Sequence, residues 1–308
     1  MCVSAQGPDN VQVEAGLDQT YVLRGDGSVF SCGRNNYGQL GDGTRTSRES
    51  PVQMAAVGAG NTHVSAGRQH VVILTSTGSV YCAGHNSHGE CGDGTTTLRA
   101  TPVEMRGVPE PNQRVEAGGD HTMILTRDGA VFGCGRNGWG QLGDGSKCSQ
   151  PTLVTLCQTA HKPPPPAAFT NRLEPVEMRE VGNGNREISA GLLHALVLSG
   201  TGRVFSVGGN VYGELGDGTR QRREIPAEMP VVGAGNVAIE AGAWSSHVLS
   251  PAGEVFALGR NDNRQLGPQC TASGMGAACL TPQLMEGVGP VSEVAAGLTH
   301  TLVVRPSE

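Results

Sequence analysis

The chain of 308 residues contains 47 glycines, 37% hydrophobic and 16% charged residues, and its formal net charge is −6. Collagen would need glycine at every third position, and a disordered chain would need high charge and few apolar residues; the sequence has neither pattern. The only lysines are Lys147 and Lys162, and no run of basic residues offers the patch that phosphate recognition requires. Direct DNA binding is therefore not expected.

The sequence also argues against a membrane protein and against export. No stretch approaches the ~18–20 apolar residues of a membrane span. Residues 1–7 have neither the charged segment nor the apolar segment that opens a signal peptide. The sequence alone thus predicts no membrane partner and an intracellular location, in the cytoplasm or the nucleus.

A repeat runs through nearly the whole chain. Its units are anchored by the glycine of an Ala-Gly step, at Gly16, Gly67, Gly118, Gly191, Gly242 and Gly297. Three intervals are 51 residues long, and the other two, of 73 and 55 residues, hold insertions. Counted from the anchor, leucine recurs at position 7, glycine at 11, valine at 13, Phe or Tyr at 14, glycine at 17 and asparagine at 19. Five copies in register predict five equivalent structural units within one domain.

The predicted units span 11–60, 61–111, 112–184, 185–235 and 236–290, with a partial sixth at 291–305. Each contains four β-prone runs, which in the second unit are 63–66, 71–75, 79–83 and 102–105. Asp-Gly steps such as Asp26-Gly27 favour a tight hairpin between the second and third runs. Four antiparallel strands per unit are typical of a β-propeller blade. The sequence therefore predicts an all-β propeller without long helices.

Neighbouring blades must stack, because a single blade cannot bury both of its faces. The aromatic residues at position 14 and the leucines at positions 7 and 24 are the expected stacking material. Phe132 and Phe205 are predicted to be more than nine-tenths buried, and alanine at either position to cost ~3–5 kcal/mol of stability.

The order Ala-Gly-x-x-His, apolar strand, Asp-Gly, Val-Phe, Gly-x-Asn-x-x-Gly-Gln-Leu-Gly and Pro-Val-x-Met resembles the repeat of the regulator of chromosome condensation (RCC1) family. This resemblance implies a propeller, seven-bladed in typical members, so five full repeats and a partial sixth leave a six-bladed ring or an incomplete seven open. Members include exchange factors for a nuclear Ran-type GTPase, ubiquitin-ligase domains, an ultraviolet photoreceptor and a secreted β-lactamase inhibitor. The photoreceptor needs clustered tryptophans, whereas this chain has only Trp139 and Trp244.

Two columns of polar residues could carry chemistry. Position 3 holds His70, His121, His194 and His300, and the Gly-Asp-Gly turns hold Asp42, Asp93, Asp144 and Asp217. Because each column repeats one position in every blade, we interpret the histidines as hydrogen-bonding groups within their own blades and the aspartates as turn residues. No nucleophile with a matching base is apparent. The sequence predicts no enzyme, no metal site and no cofactor.

Seven of the nine cysteines divide into two groups. Cys32, Cys91 and Cys134 occupy apolar columns and are predicted to be core thiols. Cys148/Cys157 and Cys270/Cys279 lie in the two insertions and could be local disulfides or free thiols; the missing export signal favours free thiols.

The candidate partner-binding residues vary within otherwise regular columns. Six follow the third strand of their blade and one lies in the turn after an anchor: Arg34, Tyr37, Arg136, Trp139, Tyr212, Arg260 and Trp244. Arg, Tyr and Trp are enriched at interaction hot spots, so these residues are expected to be exposed on one face. The alternative is that they cover their own loops. The insertion at 146–174, with four consecutive prolines at 163–166, is either a projecting ligand or a tolerated excursion.

These observations predict a non-enzymatic interaction propeller that binds a protein, with a small GTPase and guanine-nucleotide exchange as the leading hypothesis. The alternative hypothesis is an inhibitor or receptor-type binder of another protein. A propeller hydrolase or lyase is the third and weakest.

Overall fold

The computed structural model describes residues 9–55, 57, 60–146, 171–230, 232–268 and 277–306. Strands are the regular elements of these residues. The first sheet comprises β1 (Asn10–Ala15), β2 (Gln19–Arg24), β3 (Val29–Gly33) and β4 (Arg48–Gln53); the second β5 (Asn61–Ala66), β6 (His70–Thr75), β7 (Val80–Gly84) and β8 (Arg99–Glu104). The third comprises β9 (Asn112–Ala117), β10 (His121–Thr126), β11 (Val131–Gly135) and β12 (Arg172–Glu177). The fourth comprises β13 (Asn185–Ala190), β14 (His194–Ser199), β15 (Val204–Gly208) and β16 (Arg223–Glu228); the fifth β17 (Ala238–Ala241), β18 (Ser245–Leu249), β19 (Val255–Arg260) and β20 (Ala278–Leu284). A two-stranded sheet of β21 (Glu293–Ala296) and β22 (Thr301–Val304) follows.

Each four-stranded sheet is an antiparallel meander in which strands that are consecutive in sequence are hydrogen-bonded neighbours. The predicted hairpin between the second and third strands is present in the first sheet. There Gly27 has a φ of 80° and its N–H donates to Arg24 O at 2.9 Å, while the Asp26 carboxylate accepts the Ser28 hydroxyl at 2.6 Å. The positive φ explains why glycine recurs at position 11.

The described residues form two compact units. The first comprises the described residues up to 127 together with 132–136 and 171–176. Its apolar clusters lie between the first and second sheets, around Leu23 and Ile73, and between the second and third sheets, around Leu74 and Ile124. The second unit comprises 128–131 and the described residues of 137–170 and 177–308, and its largest cluster joins Leu198 of β14 to Val248 of β18.

The leucines of positions 7 and 24 are buried, as predicted, and Leu125 and Leu142 have no exposed surface. The prediction for Phe132 and Phe205 is wrong, because both are only half-buried. In β15 the residue that enters the core is Val204, whereas Phe205 lies directly opposite the exposed Glu228 of β16. Strand alternation turns the aromatic residue to the less covered face of the sheet.

The prediction of core thiols is wrong for Cys91, which forms a disulfide with Cys82. The two cysteines occupy positions 15 and 24, which also meet in the first and fourth sheets: the Ser31 hydroxyl donates to Leu40 O and the Ser206 hydroxyl to Leu215 O, both at 2.8 Å. Proximity of these two positions, far more than sequence spacing, makes the pairing possible.

The remaining cysteines divide between bonded and free. Cys32 and Cys279 are also disulfide-bonded, against the expectation of free thiols. Cys134 is a free buried thiol, as predicted, and burial raises its pKa. Cys148, Cys157 and Cys270 lie outside the described residues, as does most of the proline-rich insertion.

Among the described residues, no helix has the length and apolar character needed to cross a bilayer.

Candidate protein-interaction site

In every four-stranded sheet the turn after the first strand and the loop after the third strand meet at one end. A backbone N–H of the loop donates to a turn carbonyl in each case: Arg34 to Asp18 (2.9 Å), His85 to Gln69 (2.9 Å), Arg136 to Asp120 (2.9 Å), Gly209 to Leu193 (2.7 Å) and Arg260 to Trp244 (2.8 Å). The predicted juxtaposition of these two connections within a blade is therefore present. We call the segment after the third strand the crown loop; in the first sheet it comprises residues 34–47.

Side-chain hydrogen bonds of the asparagine and aspartate columns hold the crown loop in its conformation. In the first sheet Asn35 Oδ1 accepts the Leu40 N–H at 2.9 Å, and Asn35 Nδ2 donates to Asp42 Oδ1 at 3.1 Å. Asp42 also accepts the Thr44 hydroxyl at 2.7 Å and Arg48 Nε at 2.8 Å. Burial opposes ionisation of Asp42, but these hydrogen bonds outweigh it and lower its pKa. The turn role predicted for the aspartates is confirmed here.

An arginine in the fourth strand completes this arrangement and was missed by sequence reasoning. Asp93 accepts from Arg99 Nε at 2.7 Å, and Asp217 from Arg223 Nε at 2.8 Å, as Asp42 does from Arg48. The three arginines share position 32 of the repeat, so the column itself was the available signal.

A second missed column is the Gln or Glu at position 23. Its side-chain oxygen accepts the backbone N–H of the residue at position 21 in each described crown loop. The pairs are Tyr37–Gln39 (2.9 Å), His88–Glu90 (2.8 Å), Trp139–Gln141 (3.0 Å), Tyr212–Glu214 (2.8 Å) and Asn263–Gln265 (3.0 Å). The bond fixes the tip of the loop in the same conformation each time.

Two of the position-3 histidines, His70 and His194, reach beyond their own blades, so for them that part of the prediction is wrong. His70 Nε2 lies 3.1 Å from the Thr122 hydroxyl of the next sheet, which donates to Glu90 O at 2.7 Å. His194 Nε2 lies 3.0 Å from the Ser246 hydroxyl in the same way. Burial lowers the pKa of His194 to about 4, so the ring is neutral at physiological pH. These two histidines join adjacent sheets by hydrogen bonds, so their role is still structural.

Two candidate residues of the first unit, Arg34 and Arg136, form ion pairs with aspartates. Arg34 is exposed and pairs with Asp18 at 3.3 Å, with both side chains more than 40% exposed. Arg136 is half-buried and shares the buried Asp120 with Arg68, at 3.0 and 2.7 Å. Two arginines therefore share one aspartate at the end of the sheets where the turns and loops meet.

Tyr37, the aromatic candidate of the first unit, is half-buried. Its ring is nearly perpendicular to the His85 ring of the adjacent sheet, with 5.1 Å between the ring centroids.

The structure brings three candidates of the second unit together. The Tyr212 and Trp244 rings meet edge to face at 5.6 Å, and the Arg260 guanidinium lies 5.4 Å from the Tyr212 ring centroid. Arg260 Nε also donates to Asp262 at 2.8 Å. All three candidates are half-buried, which leaves part of each side chain open to a partner.

Trp139 does not fit the predicted exposure, because it is only 7% exposed. The loop around it is closed by Arg222, whose guanidinium donates to Gly138 O at 3.0 Å. Trp139 therefore follows the alternative interpretation, in which a side chain of this column packs its own loop.

Comparison with known proteins agrees with this architecture. The family described as the RCC1-like domain matches residues 4–308. The RCC2 homolog of Xenopus laevis is 30% identical over 244 residues, which cover 76% of this chain and 47% of that protein, so the chain spans about half the length of this relative.

Two solved structures share the fold. Human WBSCR16 has a TM-score of 0.77 at 24% identity, with 97% of this chain and 72% of that one covered. Prp20p of Saccharomyces cerevisiae has a TM-score of 0.77 at 19% identity, with 97% and 69% covered. Together with five four-stranded sheets built on one repeat, these matches show that the chain belongs to the RCC1-like domain family and has its β-propeller fold.

Proposed function

We propose that this chain is a non-enzymatic interaction propeller that binds a small GTPase through its crown loops. One observation carries the proposal: the base of each crown loop is held by the same polar columns, while positions 18 and 21 vary between blades. A loop of fixed conformation presents its side chains without the ordering cost that weakens binding by flexible loops.

The side chains at these positions suit a protein partner. The cluster of Tyr212, Trp244 and Arg260 combines the three residue types that most often dominate interfaces. Arg34 is also available, because an exposed ion pair such as Arg34–Asp18 stabilises a protein by only ~0–1 kcal/mol and can be exchanged for contacts with a partner. Tyr37 and Arg136 extend the proposed contact residues of the first unit.

The choice of a GTPase rests on the family. The RCC1 family resemblance implies nucleotide exchange on a Ran-type GTPase, and the structure of the similar Prp20p was described with its binding properties to Gsp1p and histones. Exchange requires a rigid surface that opens the nucleotide site and no catalytic side chain, which suits crown loops built this way. We therefore extend the proposal to exchange activity.

The test uses the full chain and a Ran-type GTPase loaded with a fluorescent GDP analogue. We expect saturable binding and faster release of the analogue. Tyr212→Ala and Arg260→Ala should each weaken binding by ~30-fold, which corresponds to ~2 kcal/mol. Arg203→Ala is the matched control, since Arg203 is exposed in the β14–β15 hairpin, at the opposite end of the same sheet.

The outcomes separate the parts of the proposal. Binding without faster release would remove the exchange activity and leave the interaction. Binding that neither crown-loop variant weakens would overturn the assigned residues. If no GTPase binds, while another protein does so in a manner that both variants weaken, the inhibitor or receptor hypothesis would replace the GTPase.

A further inference from the structure

The crown loop of the second sheet differs from its counterparts in a chemically consistent way. Positions 18, 21 and 23 hold His85, His88 and Glu90, where the other loops hold Arg or Gly, then Tyr, Trp or Asn, then Gln or Glu. The ring atom Nδ1 lies 2.8 Å from Glu90 Oε1 in His85 and 3.1 Å from it in His88. One potential ligand atom from each of the three residues lies within 4.8 Å of the others.

Only one oxygen of Glu90 is needed by the fold. Oε2 accepts the His88 backbone N–H at 2.8 Å, the role that glutamine fulfils in three other loops. In Gln39 and Gln141 the second polar atom, Nε2, makes no hydrogen bond within the described part of the chain. The conformation of the loop therefore requires no hydrogen bond to Glu90 Oε1, and this oxygen faces two imidazoles.

The charge of this oxygen needs compensation. The Glu90 side chain has no exposed surface, and an isolated buried carboxylate is strongly disfavoured. The two imidazoles lie within hydrogen-bond distance of this oxygen, at 2.8 and 3.1 Å. A cation at this point would satisfy the carboxylate and both rings at once.

We propose that His85, His88 and Glu90 bind a divalent transition metal of the zinc class. Imidazole nitrogen suits zinc, copper and nickel, whereas magnesium and calcium prefer oxygen ligands. Ligand atoms ~2.0–2.2 Å from a tetrahedral zinc ion are about 3.3 Å from one another, close to the 2.8 and 3.1 Å that separate Glu90 Oε1 from the two ring nitrogens. Small side-chain adjustments are enough to admit the ion.

The surroundings are those of an open site. Three protein ligands leave one tetrahedral position for water or for an atom of a partner. Ser87 Oγ lies 3.0 Å from His85 Nε2 and 3.4 Å from His88 Nδ1. The imidazoles of His85 and His88 are 16% and 29% exposed, so an ion can enter from solvent on the histidine side. The site does not depend on the proposed GTPase function.

The test measures zinc binding to the metal-free full chain by competition with a fluorescent zinc chelator, and by the visible absorption of bound cobalt(II). We expect one site that Glu90→Gln weakens at least tenfold and that the double variant His85→Arg/His88→Tyr abolishes. These substitutions restore the residues of the first crown loop, Arg34, Tyr37 and Gln39, so the loop should still fold. Glu214→Gln is the matched control, being the same change at position 23 of a loop without histidines, and should bind zinc as the unchanged chain does.

Thermal melts with and without zinc give a second readout. Zinc should raise the melting temperature of the unchanged chain and of Glu214→Gln, but not that of the double variant, whereas magnesium should raise none. Undiminished zinc affinity and stoichiometry in the double variant would overturn the site, as would a failure of the unchanged chain to bind zinc. If Glu90→Gln melts abnormally without metal, the single variant His88→Tyr decides the question.

Discussion

The crown loops of the second and fourth sheets share a backbone hydrogen bond to a buried glutamate, but the pKa of that glutamate is lowered in one loop and raised in the other. Glu90 and Glu214 are both buried at position 23, and both accept the backbone N–H of position 21. Burial raises the pKa of Glu214 to about 7. Burial acts in the same direction on Glu90, but hydrogen bonds from His85 and His88 outweigh it and lower the Glu90 pKa. The backbone decides where the carboxyl lies, and positions 18 and 21 decide whether it is charged.

The same substitution should therefore have opposite effects in the two loops. At pH 8, Glu214→Gln should raise the free energy of unfolding by up to roughly 3 kcal/mol, because it removes a charge whose burial costs about 1.36 kcal/mol per unit of pKa shift. Glu90→Gln should lower it by ~1–3 kcal/mol through the loss of charge-assisted hydrogen bonds. Urea denaturation of metal-free protein measures both, and changes of the same sign would contradict the comparison.

The gain from Glu214→Gln should disappear in acid. The folded-state pKa of Glu214, about 7, lies above the ordinary glutamate value of 4.5, so between these pH values the folded protein holds a proton that the unfolded chain has released. Stability then falls as the pH rises through this window and levels off above about 7. We expect the unchanged chain and Glu214→Gln to have equal free energies of unfolding at pH 4 and increasingly different ones at pH 6 and pH 8. A difference that does not vary with pH would rule out titration of Glu214.

The residues at positions 15 and 24 of the second and fourth sheets provide the next comparison. Cys82 and Cys91 are cross-linked where Ser206 and Leu215 share a hydrogen bond. The variant Cys82→Ser/Cys91→Leu copies the fourth sheet and should fold, but it should lose ~2–3 kcal/mol, the stabilisation expected for closing a short loop. Denaturation under oxidising conditions measures this loss, and a reductant should narrow the gap. Peptide mapping without reduction that finds both thiols free would contradict the cross-link.

The smallest expected effect comes from placing a histidine in the fourth loop. Tyr212→His puts an imidazole at the position of His88, where it can donate to Glu214 and favour the carboxylate. The stabilisation by Glu214→Gln should then shrink by ~1 kcal/mol in a double-mutant cycle at pH 8. Tyr212→Phe in the same cycle should show no coupling, and equal coupling for both substitutions would mean that packing, not charge, links the two positions.

Much of the fold followed from local patterns that the repeat makes visible. The 51-residue register predicted four strands per unit, the Asp-Gly hairpins and the buried leucine columns. These features depend on interactions within one blade, between residues close in sequence, and each blade repeats them. The aspartate turns were predictable for the same reason, because Asp42 contacts Thr44, two residues along the chain.

What sequence reasoning missed depends on contacts across sheets or across a loop. His70 meets Thr122 of the next sheet, 52 residues away, so its partner could not be read from its own blade. The half-buried Phe205 and the buried Trp139 depend on how neighbouring elements cover them, which a column of similar residues does not specify.

The candidate zinc site shows the same division. The sequence predicts no metal site because its recurring histidines stand at one position of the repeat, where a structural role is expected. His85, His88 and Glu90 instead belong to three different columns. Sequence alone determined that these residues lie in a crown loop after the third strand. Only the folded loop, which buries Glu90, brought one oxygen of Glu90 to within 3.1 Å of a ring nitrogen of each histidine. The tertiary structure decided this because the fold of the loop buries the Glu90 carboxylate and places one of its oxygens against both imidazoles.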